Sequence, residues 1–225
     1  MALGDTLTFL DELSSNNTKE WFEAHRAQYE RARAAFEDLV AQVIAQFDRV
    51  DTIGTLDPKD AIHRIHRDVR FSHDKSPYTT QLSALIGPEG RKSMHRAYYL
   101  RLAPGDQSLV STGAFALSGT ELQTIRQQIA ADPQPLRAIV ASASFRQHFG
   151  TLSGEQLKSA PSGFAKDHPA IDFLRYKEFL ATCHFNDEDV IRADFVERII
   201  AVCQAGQPLT HWFDQVLGVR AKPQR

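Results

Sequence analysis

The sequence predicts an α+β protein in which an antiparallel sheet of about four or more strands packs against several helices in a single domain. Three observations predict it. Apolar residues recur at three- and four-residue spacing through residues 21–47, the stripe of an amphipathic helix. Between residues 61 and 115, runs of β-forming residues are separated by turn residues, as in consecutive antiparallel strands. From Ser118 onward the helical spacing returns. Helices, then strands, then helices is an α+β order rather than an alternation of βαβ units.

A chain of 225 residues is long enough for a sizeable core, and it reads as one domain over 1–225, with N-terminal helices at 5–48, the sheet at 61–115 and a mainly helical part at 118–218. An apolar content of 42% and a charged content of 24% are globular values and exclude extensive disorder. The net charge of −2 lacks the general basicity of a protein that coats nucleic acid. Two cysteines, Cys183 and Cys203, do not make a disulfide framework and read as reduced residues in or near the core. Residues 1–10 lack the basic start and long apolar run of a secretory signal, and no apolar stretch reaches the ~18 residues of a membrane helix. The expectation is a cytoplasmic protein without a membrane partner.

The first element is a short helix at 5–13. A polar turn follows, and Asn17 with Glu20 has the spacing of a capping box opening a long helix with Trp21, Phe22, Tyr29, Phe36, Val40 and Phe47 on its inner face. Gly54 and Pro58 end the helical region. Ile62, Ile65, Val69 and Phe71 then predict a strand, turned at 72–78 into an antiparallel partner at 79–86. Further strands are predicted at 94–102 and, after the Pro104-Gly105-Asp106 turn, at 107–115. Ser118 and Glu121 form a second capping box, opening a helix with Leu122, Ile125 and Ile129 on one face. Pro133 and Pro135 interrupt it, and 136–149 predicts another helix. Residues 150–169 read as irregular, 178–185 as a strand, and the tail as two helices, 187–204 and 208–217, separated ahead of Pro208.

The densest chemistry lies at 62–78, I-H-R-I-H-R-D-V-R-F-S-H-D-K-S-P-Y. On a strand, Ile65, Arg67, Val69 and Phe71 share one face, while Arg64, His66, Asp68 and Arg70 line the other at ~7 Å intervals. Such a row suits an anion. Arg64, Arg67, Arg70 and Lys75 would hold phosphate or carboxylate oxygens, with Tyr78 beside them, because a guanidinium donates parallel hydrogen bonds to such oxygens. Asp68 or Asp74 would serve as general base and His66 as proton-transfer group. Arg175 and Lys177 would join them if the 160–164 loop folds towards the row. The competing reading is a lattice in which Asp68 and Asp74 pair with the arginines and Lys75 to fasten the turn. No metal site is expected: His63 and His66 fall on opposite strand faces, and the arginines repel cations. No cofactor is expected either, since the nucleophile elbow, the Walker loop and the dinucleotide fingerprint are absent from the sequence.

The run R-D-V-R-F-S-H-D-K-S-P-Y at 67–78 resembles the signature of the domain-of-unknown-function family twenty-four sixty-one. F-L-D-E-L-S-S-N-N-T-K-E-W-F at 9–22, S-T-G-A-F at 111–115, L-K-S-A-P-S-G-F at 157–164 and L-R-Y-K at 174–177 resemble the same family, so the likeness spans nearly the whole chain. It implies no catalytic residues, since that family carries no established activity. The chain departs from the family pattern at Thr79, where a basic residue is usual, and near Ala116, where proline is common. The expected function is binding of a small anionic ligand in a basic pocket, with or without catalysis. The alternative is a non-enzymatic interaction module that binds protein or nucleic acid through the same face.

Overall fold

The computed structural model describes residues 3–47, 53, 56–70, 72–93 and 97–219. It is an α+β structure with a four-stranded antiparallel sheet whose strands hydrogen-bond in chain order, β1 (Leu82–Ile86), β2 (Tyr98–Leu102), β3 (Ser108–Ala114) and β4 (Phe179–Phe185). The chain divides into two compact units, neither a continuous stretch of sequence.

The first unit takes the described residues of Met1–Ser93, Tyr99–Val110 and His184–Ala201. Its N-terminal helices are α1 (Leu3–Ser15), α2 (Lys19–Ala24), α3 (Arg26–Phe47) and α4 (Pro58–Ala61). α1 packs on α3, with Leu10, Leu13, Phe36 and Val40 buried. The predicted long helix is two helices. It breaks at His25 (φ −108°, ψ 15°), whose imidazole Nδ1 lies 2.7 Å from the Trp21 carbonyl and whose ring stacks on the indole at 3.9 Å. The helix start is shifted by one residue: Thr18, not Asn17, caps α2 by accepting from the Trp21 amide at 3.2 Å. Asp57 caps α4 by accepting from the Lys59 amide, and Asp187 clamps the 104–106 turn by accepting from the Gly105 and Asp106 amides at 3.0 and 3.2 Å.

Segment 62–70 is not a regular strand. It meets the chain beyond the turn in two isolated antiparallel bridges, Ile62 with Ala84 and His66 with Tyr78. Four positions separate the bridged residues on one side and six on the other, so the registers differ and no continuous ladder forms. The fourth strand of the sheet comes instead from 179–185, inside the strand predicted at 178–185. Phe71 and residues 94–96, parts of two predicted strands, lie outside the described residues.

The second unit takes the described residues of Met94–Tyr98, Ser111–Cys183 and Val202–Arg225. Its helices are α5 (Gly119–Ala131), α6 (Gln134–Ala141), α7 (Ala143–Phe149) and α8 (Ile171–Leu174), around a core that includes Ile125, Ile129, Phe145, Phe179 and Leu209. The Ser118–Glu121 capping box is present in both directions, at 3.2 and 2.8 Å. The helix predicted at 136–149 divides at Ser142, whose side chain caps α7. β3 and β4 approach so closely at Gly113 (φ 129°) that a Cβ there would stand 2.0 Å from the Phe179 carbonyl oxygen.

The first predicted tail helix, 187–204, breaks after the short α9 (Asp187–Val190), and its remainder runs on with the second as one helix, α10 (Phe195–Leu217), with Pro208 inside it. Proline removes a hydrogen bond there, but residues on both sides of it, Cys203, Ala205, Leu209 and Trp212, are buried. Burial along the inner face outweighs the local preference to break.

Candidate functional site

The segment 62–78 is held from three directions within the first unit. Asn17 uses its side-chain amide as a two-pronged clamp, donating to the Tyr78 carbonyl at 2.9 Å and accepting from the Tyr78 amide at 3.1 Å. The Tyr78 ring stacks on buried Phe22 at 3.9 Å, and the His66 ring meets both edge-on, 5.2 Å from Tyr78 and 6.2 Å from Phe22. Arg91 donates to the carbonyls of Lys59 and, at 2.8 Å, Ile62. Backbone bonds from Arg67 to Pro77, and from Thr79 to Ile65, at 2.9 and 2.8 Å, bring the arms of the turn together.

The alternation expected of a strand persists in burial without the ladder. Ile65 is buried and Arg67 half-buried, while Arg64, His66, Asp68 and Arg70 are exposed. Both carboxylates of the segment are matched inside it. Arg67 pairs with Asp74 and also donates to the Ser76 carbonyl and Ser72 Oγ at 3.3 and 3.4 Å. Asp74 in turn accepts from the Ser76 amide and hydroxyl at 2.9 and 2.6 Å. These serine bonds, then the Arg67 guanidinium, hold its carboxyl well below the usual aspartate range. Arg70 grips Asp68 with Nε at 2.9 Å and Nη2 at 2.6 Å, which lowers the Asp68 pKa and raises that of Arg70. This is the geometry of the structural lattice.

Two cations stand outside those pairs. Lys75 donates to the Val69 carbonyl at 2.9 Å and, among the described residues, meets no carboxylate. Arg64 is exposed, with no hydrogen bond or ion pair among the described residues, and its charge helps keep Asp68 ionised. Among the described residues, the His66 side chain has ring contacts and the field of Glu23, a carboxylate that Arg26 binds at 3.0 and 2.7 Å. His63 is half-buried, and desolvation followed by the Arg91 charge pushes its pKa down. Among the described residues no cluster of three His, Cys, Asp or Glu side chains is arranged to hold a metal ion.

Arg175 and Lys177 belong to the second unit and are engaged there. Arg175 donates to the carbonyls of Leu157 and Lys158 at 2.8 and 3.1 Å, and Lys177 pairs with Glu155. Cys203 is buried, and burial pushes its thiol pKa far up; Cys183 is half-exposed. Among the described residues no helix is long and apolar enough to cross a membrane.

Sequence reasoning missed two residues here. Asn17 was hidden by its neighbour, because S-N-N-T offers several cap candidates and only the tertiary contact shows which is free for Tyr78. Arg126, in the second unit, whose Nε and Nη2 donate to the Leu174 and Tyr176 carbonyls at 2.9 and 3.0 Å, did leave a signal. It lies four residues after Leu122 and three before Ile129, on the apolar stripe of α5, where an arginine needs a partner.

Residues 5–212 match the family described as a conserved hypothetical protein, DUF2461. No curated protein and no solved structure matches the chain.

Proposed function

Since the chain belongs to the DUF2461 family, whose description specifies no reaction, we propose from its geometry that the protein binds a small anionic ligand, bearing phosphate or carboxylate, on the exposed face of 62–78. The supporting observation is that Arg64 and Lys75 retain charges unmet by a carboxylate among the described residues, beside a turn made rigid by the Arg67–Asp74 and Arg70–Asp68 pairs. In this reading Arg64 and Lys75 contact the ligand, His66 flanks it, Arg67 and Arg70 hold the frame, and Tyr78, buried against Phe22, anchors the turn from beneath. The reading is binding without proton transfer, because Asp68 and Asp74 are held as weak bases whereas a general base works best with a pKa near ambient pH.

A second reading is favoured by the exposure of Arg64, His66, Asp68, Arg70 and Lys75: the face docks an anionic surface on a macromolecule. A thermal-shift titration with inorganic phosphate, citrate and nucleotides at constant ionic strength tests the first. The Arg64→Ala/Lys75→Ala double variant leaves both ion pairs intact. It is expected to lose the ligand-induced rise while its own Tm changes by less than about 2 °C. No rise with any small anion in the wild-type protein overturns the small-ligand reading.

A further inference from the structure

A concave surface with an apolar floor and a charged group at its rim has the make-up of a small-molecule site. The first unit holds such a cavity, of ≈ 190 Å³, between the start of α1, the middle of α3 and the approach to α10. Leu39, Phe195 and Val196 are buried and form its floor. Asp38, Gln42 and Arg192 line it from the exposed rim. Asp38, Leu39 and Gln42 share one face of α3, since helix positions three and four apart lie side by side. Beside the cavity lies Ile191, 60% exposed and the large apolar side chain that the described residues leave in water. It borders the first turn of α1, because a Cβ on Gly4, next to Leu3 of the cavity wall, would stand 3.4 Å from Ile191 Cγ2.

The charges at the rim are unequal. Asp194 grips Arg192 by accepting from its Nε at 2.7 Å and its Nη2 at 3.0 Å, which raises the Arg192 pKa and lowers that of Asp194. Asp194 also stands just before the first residue of α10 and answers the positive end of that helix. The acids that act on Arg192 are Asp194 and, farther off, Asp189. The Asp38 carboxylate has no hydrogen bond or ion pair among the described residues. The cavity therefore carries one unmatched negative charge above an apolar floor. An anion would meet that charge without a free cation to hold it, whereas a cation with an apolar body satisfies both. The volume falls below the ~300–1,000 Å³ of sites for drug-sized molecules, so the occupant is small.

We propose that this cavity binds a small primary amine, its ammonium group on the Asp38 carboxylate and its carbon body against Leu39, Phe195, Val196 and the exposed side of Ile191. The cationic 62–78 face takes no part in it. The test is a titration of the full chain with isopentylamine at pH 7 and constant ionic strength, following backbone amides by NMR. The amides of Asp38, Gln42, Ala193 and Val196 are expected to shift along one saturating curve. Isopentanol, which has the same carbon body without the charge, is expected to bind at least about threefold more weakly, the worth of an exposed ion pair. Asp38→Asn is expected to weaken the amine to the same extent, and Arg64→Ala/Lys75→Ala to leave the curve unchanged. Shifts that never saturate, an alcohol that binds as well as the amine, or an Asp38→Asn variant that keeps the wild-type curve overturns the site. The comparison of amine with alcohol is made on the wild-type chain, so it decides the matter even if the variant does not fold.

Discussion

The amide of Asn17 satisfies both backbone polar groups of Tyr78, a residue sixty-one positions away, and so ties the turn after α1 to the end of the charged segment. Asn17→Ala leaves a part-buried N–H and C=O without those partners. Urea unfolding should show a loss of about 1–3 kcal/mol. Gly113 is constrained more severely, since both its positive φ and the Phe179 carbonyl exclude a side chain. Gly113→Ala is expected to cost at least about 3 kcal/mol, or to prevent folding, whereas the same change at exposed Gly119, with open space around it, should alter stability by less than about 1 kcal/mol. The two measurements separate close approach from a general intolerance of glycine replacement.

The turn of 62–78 is stabilised by charge, and its pH response has a definite sign. Asp74 and Asp68 have pKa values depressed below the ordinary aspartate value of ~3.9. Their contribution is therefore complete above that value and is lost as pH falls through the depressed folded-state values. In a Tm profile from about pH 2 to 6, Asp74→Asn is expected to flatten the acid limb below about pH 4 while lowering the plateau. An unchanged acid limb would show that the Arg67–Asp74 pair does not couple to folding. In α10 the local and tertiary preferences oppose each other at Pro208. Because its ring is exposed and the helix continues past it, Pro208→Ala should restore a backbone hydrogen bond and raise stability by about 1–2 kcal/mol in denaturant unfolding.

At the scale of the whole molecule, anion binding should appear as a salt-sensitive rise in Tm, because the cations assigned to the 62–78 face are exposed and screened by added ions. A phosphate-induced rise should shrink between about 0.05 and 0.5 M sodium chloride. A rise that persists undiminished would count against binding at that exposed face.

The α+β class, the amphipathic stripe of α3, the capping box of α5 and the alternation of Ile65 and Arg67 with exposed charged neighbours were all legible in the sequence. Each depends on residue spacing within one turn of helix or a few steps of extended chain, and spacing is what a sequence records. Tertiary structure decided the rest. The register offset between two bridges kept the charged segment from forming a ladder beside β1, while 179–185 pairs with β3 at the opposite edge of the sheet, because strand pairing depends on residues far apart in the chain. Burial carried α10 through a proline. Ion pairing was tertiary in the same sense: the sequence by itself determined that four cations and two carboxylates share one segment, and only their folded distances selected Arg67 with Asp74 and Arg70 with Asp68, leaving Arg64 and Lys75 for something else.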